Sequence, residues 1–547
     1  MESPNPLAPD YYLNNFKRLI GHALEWYADL LDQKELAWLR DFDQLSKEAQ
    51  CLLVRLYSRK GELFRTDKLN YIEINSIENA LDELTQHQFV ILSPNLTLKE
   101  LADKLLTKNE LCPLVPNLDR KLKKAEMVES LSDETLFDQY DQLAFTVIQL
   151  AQSEMIDLLL ALFFANTHQD LTQFVLDDLG LHQFENYKLS KDRRFFNNRA
   201  QLDDLLTLGK IAECYWLADR KQIALLEELV SRLPVSSSHP YVERKRQHLI
   251  NDIARDFERL EDYSKALVLF NQSQLPPSRE RQARIFDKIE ALESMSDVVT
   301  EILNNPCNVS EREVGEKLQQ RLFRRQGQKV PRRPKSEHDE LYLTLDLSQQ
   351  RVELKVKEHF ESQGWDVYFA ENTLLNGLLG LAMWEAIFAP VEGAFINAYQ
   401  HKPLDLYHAD FASKRDKIIS SVLNQITNGD LTFIADTYQN KFGIANPFVS
   451  WSHLPKELLN LALSSISPSL IAELLQVQLS DLKLYRNGMP DLIAFKNGQF
   501  RWIEVKGPGD KLQDNQLRWI HHFQILDVPF TVCYVQHEAP LPNDGRS

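Results

Sequence analysis

The chain has 547 residues, 44% apolar and 26% charged, with a formal net charge of −17. That length supports several separate cores, and the acidic balance argues against a protein that coats nucleic acid nonspecifically, since such affinity comes from Lys and Arg neutralising phosphates. No stretch approaches the roughly 18 uninterrupted apolar residues that a bilayer-crossing helix needs; the best run is Leu158 to Ala165.

Residues 1–92 form a helical or winged-helix-like unit by pattern, with apolar periodicity over Tyr11 to Leu31 and Lys47 to Ser58. Glu73-Ile74-Asn75 and Phe89-Val90-Ile91-Leu92 are candidate short strands within it. Residues 93–134 carry an amphipathic stretch at Leu96 to Leu105, a Pro/Asn-rich loop, and a second at Lys121 to Leu131. Two short helices with a basic approach to the second resemble a SAP module, in which Lys121, Lys123 and Lys124 meet phosphates; an ordinary helical hairpin is the alternative.

Residues 135–325 read as helix after helix, and Asp256 to Phe270 resembles half of a tetratricopeptide repeat, with small Ala266 between helices. Repeats of this kind usually bind protein. Basic clusters lie at Lys188, Lys191, Arg193, Arg194 and Arg199, interleaved with Tyr187, Phe195 and Phe196, and at Arg279, Arg281 and Arg284. Residues 321–335 hold a further seven basic residues and no acid, and the Pro-containing stretch 326–339 reads as a basic linker. Each cluster is either a solvated face or part of a DNA track.

The remaining domain, 340–540, opens with strands at Leu341-Tyr342-Leu343 and Trp365 to Phe369, and ends with one at Phe530 to Val535, before a tail expected to be disordered. Between them, Pro490 to Phe495 and Phe500 to Lys506 flank Lys496-Asn497-Gly498-Gln499, and Asn-Gly is the strongest short hairpin signal. With Asn497 and Gly498 as the two loop residues, Asp491 falls opposite Glu504 and shares its face, and Lys506 follows on that face. Two adjacent carboxylates repel unless a cation lies between them, and oxygen-only ligands suit Mg²⁺ or Mn²⁺ rather than zinc. Such an ion would activate water for phosphodiester hydrolysis, with Lys506 orienting that water or neutralising phosphate charge. The competing explanation is an exposed hairpin with a surface Glu–Lys pair. It is disfavoured by the apolar residues on both faces of each strand, which mark a buried central sheet.

Gly488-Met489-Pro490-Asp491-Leu492, Glu504-Val505-Lys506-Gly507-Pro508-Gly509-Asp510 and Gln516-Leu517-Arg518-Trp519 together resemble the VRR-NUC domain of the PD-(D/E)xK nucleases, and more narrowly the Fanconi-associated nuclease family in a bacterial form. The last segment lies on a helix predicted to begin near Asp510 as N-cap, from which Gln516 projects back toward the site. Ala370 to Leu374 and Leu378 to Phe388 extend the resemblance upstream, while Pro403 to Leu406 and Val449-Ser450-Trp451 match as fold landmarks. The resemblance implies Glu371 as the third metal carboxylate beside Asp491, Glu504 and the Val505 carbonyl, for one or two ions. By residue type alone, Glu371 is an acid at a helix start, favourable to the helix dipole. Glu385, about four turns further along one continuous helix, is either a second-metal ligand or a structural salt bridge.

The fold expected is therefore multidomain, mainly α with a C-terminal α/β restriction-endonuclease-like nuclease domain. The resemblance further implies a metal-dependent 5′-flap endonuclease and 5′→3′ exonuclease in interstrand-crosslink repair, with a SAP-type DNA module and a basic pocket for the 5′-terminal phosphate, sought among Arg279, Arg281 and Arg284. Branched or 5′-flap DNA is the expected partner, and protein partners are open to the repeat domain. A monomer or weak dimer, bacterial cytosol or nucleoid and no membrane association are expected. The alternatives are a noncatalytic scaffold binding branched DNA and a Holliday-junction resolvase-type nuclease. An N-terminus without signal-peptide character and five scattered cysteines, at 51, 112, 214, 307 and 533, fit a cytoplasmic protein with reduced, mostly buried thiols and no structural zinc.

Overall fold

In the computed structural model the described residues are 8–116, 118–132, 134–168, 183–330 and 338–538. They divide into two compact units, residues 1–181 with 196–210, and residues 182–195 with 211–547. The tail from 539 and residues 331–337 of the basic linker lie outside the described residues.

The first unit packs helices Tyr11–Tyr27, Gln33–Gln44, Lys47–Tyr57 and Ile77–Gln86 around a three-stranded antiparallel sheet. Its strands are β1 (Leu63–Arg65), β2 (Val90–Leu92) and β3 (Val147–Leu150), with β3 in the centre. The periodicity locates the first and third of these helices to within a few residues. Two strand expectations need correction. The segment 73–75 is a turn, because the Glu73 carboxylate is held by Arg55 and the Tyr12 hydroxyl. The reading of 135–320 as helical throughout misses β3, which completes the N-terminal sheet through β1 and β2.

The SAP-like stretch has three short helices instead of two, Leu98–Lys104, Lys108–Leu114 and Lys124–Glu129. The middle one occupies the expected loop because Thr107 and Glu110 form a reciprocal capping box that starts it despite Pro113.

In the second unit, helices pack as a pair and then a trio: Pro240–Arg259 with Tyr263–Phe270, then Ser278–Lys288 with Leu292–Asn304 and Val309–Arg325. Fully buried Ala266 provides the close approach expected of a repeat.

A five-stranded mixed sheet follows, built from β4 (Glu340–Leu345), β5 (Asp366–Phe369), β6 (Leu492–Lys496), β7 (Gln499–Lys506) and β8 (Phe530–His537) in the order β4-β8-β7-β6-β5. β8 runs parallel to both β4 and β7, and the helix Asp514–Ile525 makes the β7-to-β8 crossover, as parallel pairing requires. Both faces of the central strands are covered. Leu492, Ala494, Ile503 and Val505 pack with Val356 and Phe360 of the helix Val352–Ser362. Ile493, Phe495 and Trp502 pack with the apolar helix Leu374–Ala382 and with Trp519 and Phe523. The five cysteines are free; Cys51 and Cys533 are buried and Cys214 is exposed, so burial is less general than expected.

Candidate functional site

The β6–β7 turn has Asn497 at φ 52° and Gly498 at φ 76°, the positive pair that a two-residue type I′ hairpin demands. Leu492 pairs with Ile503 and Lys496 with Gln499, so Asp491, one step before β6, faces Glu504. Asp491 Oδ2 accepts a hydrogen bond from the Val505 backbone N–H at 2.7 Å, closing the end of the ladder with a side chain. The Asp491 carbonyl accepts from the backbone N–H groups of Ala370 (2.8 Å) and Glu371 (3.2 Å), which fastens the turn after β5 to the acid-bearing strand. This brings Glu371 to the site although it lies 120 positions earlier in the chain.

Glu504 is 2% exposed and Lys506 6%. Lys506 Nζ lies 2.7 Å from Glu504 Oε1, and Gln516 Nε2 donates to the same oxygen at 2.6 Å. Burial pushes the Asp491 carboxyl up to about 6, the Val505 N–H opposing it and the Glu371 charge adding to it. Burial and then the Asp491 charge push Glu504 up to about 8 against the pull of Lys506. A single ammonium is thus set among three carboxylates.

Among the described residues, no group of three or more His, Cys, Asp or Glu side chains stands ready-assembled around one point. The donor chemistry nevertheless fits a hard divalent cation. Glu504 is buried, Asp491 is half-buried and its charge repels that of Glu504, Glu371 is exposed on a turn with its carboxylate accepting from the Asn372 amide at 3.2 Å, and every donor is oxygen.

The expected helix start at Asp510 is displaced. The helix runs Asp514–Ile525 with Gln513 at its N-cap and Gln516 reciprocating, while the Asp510 carboxylate turns back to accept from the Gly507 N–H. Gln516 still faces the site. The continuous helix expected to carry both Glu371 and Glu385 is absent: it is interrupted at Met383, between Leu374–Ala382 and Trp384–Ile387, and Glu371 precedes it in a turn. Besides Glu504, the acids whose charge acts on Asp491 are Glu371 and Glu353. Glu353, in the first turn of the helix Val352–Ser362, escaped the sequence reading because an acid there is ordinary helix chemistry.

The basic candidates divide by partner. Lys121 and Lys123 are exposed, whereas the Lys124 ammonium donates to the Asp103 carbonyl. Arg193 donates to the Pro390 carbonyl and Arg194 is partly buried. Tyr187, Phe195 and Phe196 are core residues, so they are not stacking platforms for bases. Arg279 is held by Glu311 at 2.5 Å and by Glu301 at 3.4 Å, and Arg281 pairs through two nitrogens with the buried Glu258. Both guanidiniums are engaged by carboxylates here. Arg284, paired with Glu280, joins Lys317, Arg321, Arg324 and Arg325 around a basic furrow of about 500 Å³, in which Arg321 and Arg325 share Asp287 and Lys317 lies 3.6 Å from Asp514.

A different basic cluster was missed. Burial and the neighbouring charges of Arg244, Lys483 and His408 hold the His248 imidazole below its usual range, and His408 is lowered by burial and by Arg244 against the opposing charges of Asp405 and Asp410. Arg244 and His248 sit one turn apart on the helix Pro240–Arg259, and Lys483 lies eight residues before Asp491. Only the one-turn Arg244/His248 spacing carried a signal.

Family models described as "FAN1, HTH domain" and "VRR-NUC domain" match residues 10–91 and 430–537. The chain is 36% identical to a Fanconi-associated nuclease 1 homolog of Pseudomonas aeruginosa, over 98% of this chain and 97% of that protein. Human Fanconi-associated nuclease 1 is 23% identical over 96% of this chain, which spans 62% of the human protein. A crystal structure of paFAN1 bound to DNA with a two-nucleotide 5′ flap and a gap aligns with a TM-score of 0.86 and 35% identity, over 98% of this chain and 100% of that one. A second, with a one-nucleotide 5′ flap, gives 0.85 over 97% of this chain.

Proposed function

The chain belongs to the Fanconi-associated nuclease family, and from that premise we propose that the Asp491–Glu504–Lys506 constellation is its hydrolytic centre. The protein is a structure-specific DNA nuclease whose partner is branched DNA bearing a 5′ flap. Mg²⁺ or Mn²⁺, one ion or two, would be held by Glu371, Asp491, Glu504 and the Val505 carbonyl. When bound, such an ion supplies an activated water and stabilises charge on the phosphate oxygens.

The chain's own groups do the rest. The Val505 N–H fixes the Asp491 carboxylate through Oδ2. Gln516 restrains Glu504 in one rotamer. The Lys506 ammonium, drawn onto Glu504 here, is placed to donate to the attacking water or to a non-bridging phosphate oxygen. Burial of Glu504 and Lys506 keeps the local dielectric low, which strengthens each of these interactions.

The products proposed are those of a 5′-flap endonuclease and 5′→3′ exonuclease serving crosslink repair in the bacterial cytoplasm. Lys121 and Lys123 of the SAP-like stretch 93–134 and the furrow at Arg284 serve as phosphate contacts. The pocket for the 5′-terminal phosphate is assigned to Arg244, His248, His408 and Lys483, since Arg279 and Arg281 are neutralised.

The observation that carries the reading is the convergence of the half-buried Asp491 carboxylate with the buried Glu504 and Lys506 across one hairpin. The test incubates purified protein with labelled 5′-flap, 3′-flap, four-way-junction and duplex DNA, with Mn²⁺ or EDTA, beside Asp491→Ala and Lys506→Ala. Mn²⁺-dependent cutting of the 5′ flap, lost in both variants, is expected. Binding without cleavage identifies a scaffold, and preferred cutting of the junction identifies a resolvase.

A further inference from the structure

Beside Asp491 and Glu371 the second unit opens into a cavity of about 760 Å³. Sites of roughly 300–1,000 Å³ take small ligands, so this one has room for a single nucleotide but not for a duplex. Three segments wall it. β5 contributes Tyr368 and Phe369, the start of the helix Val352–Ser362 contributes Arg351 and Glu353, and the loop before the helix Lys456–Ser465 contributes Ser452 and His453.

The chemistry of these walls is selective. Phe369 ends the edge strand β5, lines the cavity and is 50% exposed. Arg351 is exposed and forms no salt bridge among the described residues. His453 is oriented by its neighbours: the hydroxyls of Ser450 and Ser452 each lie 2.9 Å from its Nδ1. With Nδ1 turned to the two hydroxyls, Nε2 is the ring nitrogen left for a ligand, and it is a donor in the tautomer in which Nδ1 accepts. An aromatic face, a guanidinium and an imidazole N–H around a nucleotide-sized opening are what a base and its phosphate require, and the opening ends at the carboxylates proposed to serve hydrolysis.

We infer that this cavity is a nucleotide subsite seating the residue of the cleaved strand next to the scissile phosphate, its base against Phe369 and its phosphate on Arg351 and His453. The inference rests on the nuclease reading above and adds to it a means of choosing which bond is cut, since a seated neighbour fixes the phosphate presented to Asp491.

The test uses the full-length protein with Mn²⁺ and 5′-flap substrates in which the nucleotide on either side of the cut bond is made abasic. One of the two abasic substrates should raise the wild-type KM about tenfold, the size of a lost base–aromatic stack. Phe369→Ala should raise KM on the intact substrate by a similar factor and add nothing on that abasic substrate, while Phe369→Tyr should match wild type. Arg351→Ala and His453→Ala should raise KM on both substrates with kcat little changed, and His453→Asn, which keeps a donor, should recover most of the loss. Independent, multiplying effects of Phe369→Ala and the abasic change would overturn the subsite, as would an unchanged KM in the alanine variants. Failure of the wild-type protein to cut any substrate strikes instead at the nuclease reading.

Discussion

Gln516 Nε2 and Lys506 Nζ converge on one oxygen, Glu504 Oε1, at 2.6 and 2.7 Å. A helix and a strand thus clamp the same buried carboxylate. Because the lysine is also proposed to face the substrate, the glutamine must keep Glu504 in position when the lysine turns to the phosphate. Gln516→Ala should therefore lower cleavage and weaken the apparent Mn²⁺ affinity by about 10- to 100-fold, the usual range for a residue supporting a metal ligand. Metal titrations of the cleavage rate would reveal it. Wild-type metal dependence in the variant would deny Gln516 a positioning role.

In EDTA the site should make stability fall as pH rises. The Asp491 and Glu504 carboxyls, ordinarily near 3.8 and 4.5, are raised to about 6 and about 8 in the folded protein. Over that span the native state binds more protons than the unfolded one, so their contribution is full below about pH 4 and erodes up to about pH 8. Replacing both, Asp491→Asn with Glu504→Gln, should flatten the slope, read as the difference between the two proteins in denaturant melts at pH 5 and pH 8. A steeper decline in the variant would contradict the burial argument.

Basic residues that look alike in sequence should behave oppositely. Arg281→Ala leaves the buried Glu258 with Arg255 as its one guanidinium partner and should destabilise the fold by about 1–3 kcal/mol. Arg244→Ala and Lys483→Ala should leave the melting temperature nearly unchanged and instead weaken the preference for a 5′-phosphorylated flap over a 5′-hydroxyl one. Competition between the two substrates measures it, and an unaltered preference in both variants would remove the proposed phosphate pocket.

Gly488 has φ 85°, and a Cβ there would stand 2.7 Å from the Asn515 carbonyl carbon, next to Gln516. Gly488→Ala must therefore strain the backbone or push away the start of the Asp514–Ile525 helix. The expected result is at least about 1–2 kcal/mol of lost stability, with cleavage reduced beyond what the unfolded fraction explains. A variant as active and stable as wild type would show that this contact does not position Gln516.

The site was legible where local rules determine geometry. Asn497-Gly498 fixes a two-residue turn, the turn fixes the register, and the register sets Asp491 against Glu504, so three site residues followed from the hairpin and its flanking strands. What depends on distant partners was not legible. Arg279 and Arg281 offered no sign that Glu311 and Glu258 would neutralise them. The break at Met383 leaves Glu385 off any common helical face with Glu371 because helical periodicity assumes continuity. β3 lies 55 positions after the end of β2, a separation over which alternation of a short segment says nothing about pairing. Glu371 needed the family resemblance, since the backbone hydrogen bonds from Ala370 and Glu371 to the Asp491 carbonyl leave no mark in the sequence.

Direct titration of Mn²⁺ into the metal-free protein, with Asp491→Asn alongside, tests the central claim most closely. Binding at the wild-type site should weaken at least tenfold, about 1.4 kcal/mol, when Asp491 loses its charge, and the protons displaced from the raised carboxyls should make the wild-type binding tighten as pH rises. Equal Mn²⁺ affinity in the two proteins, with no dependence on pH, would contradict a cation held between the acids of this hairpin.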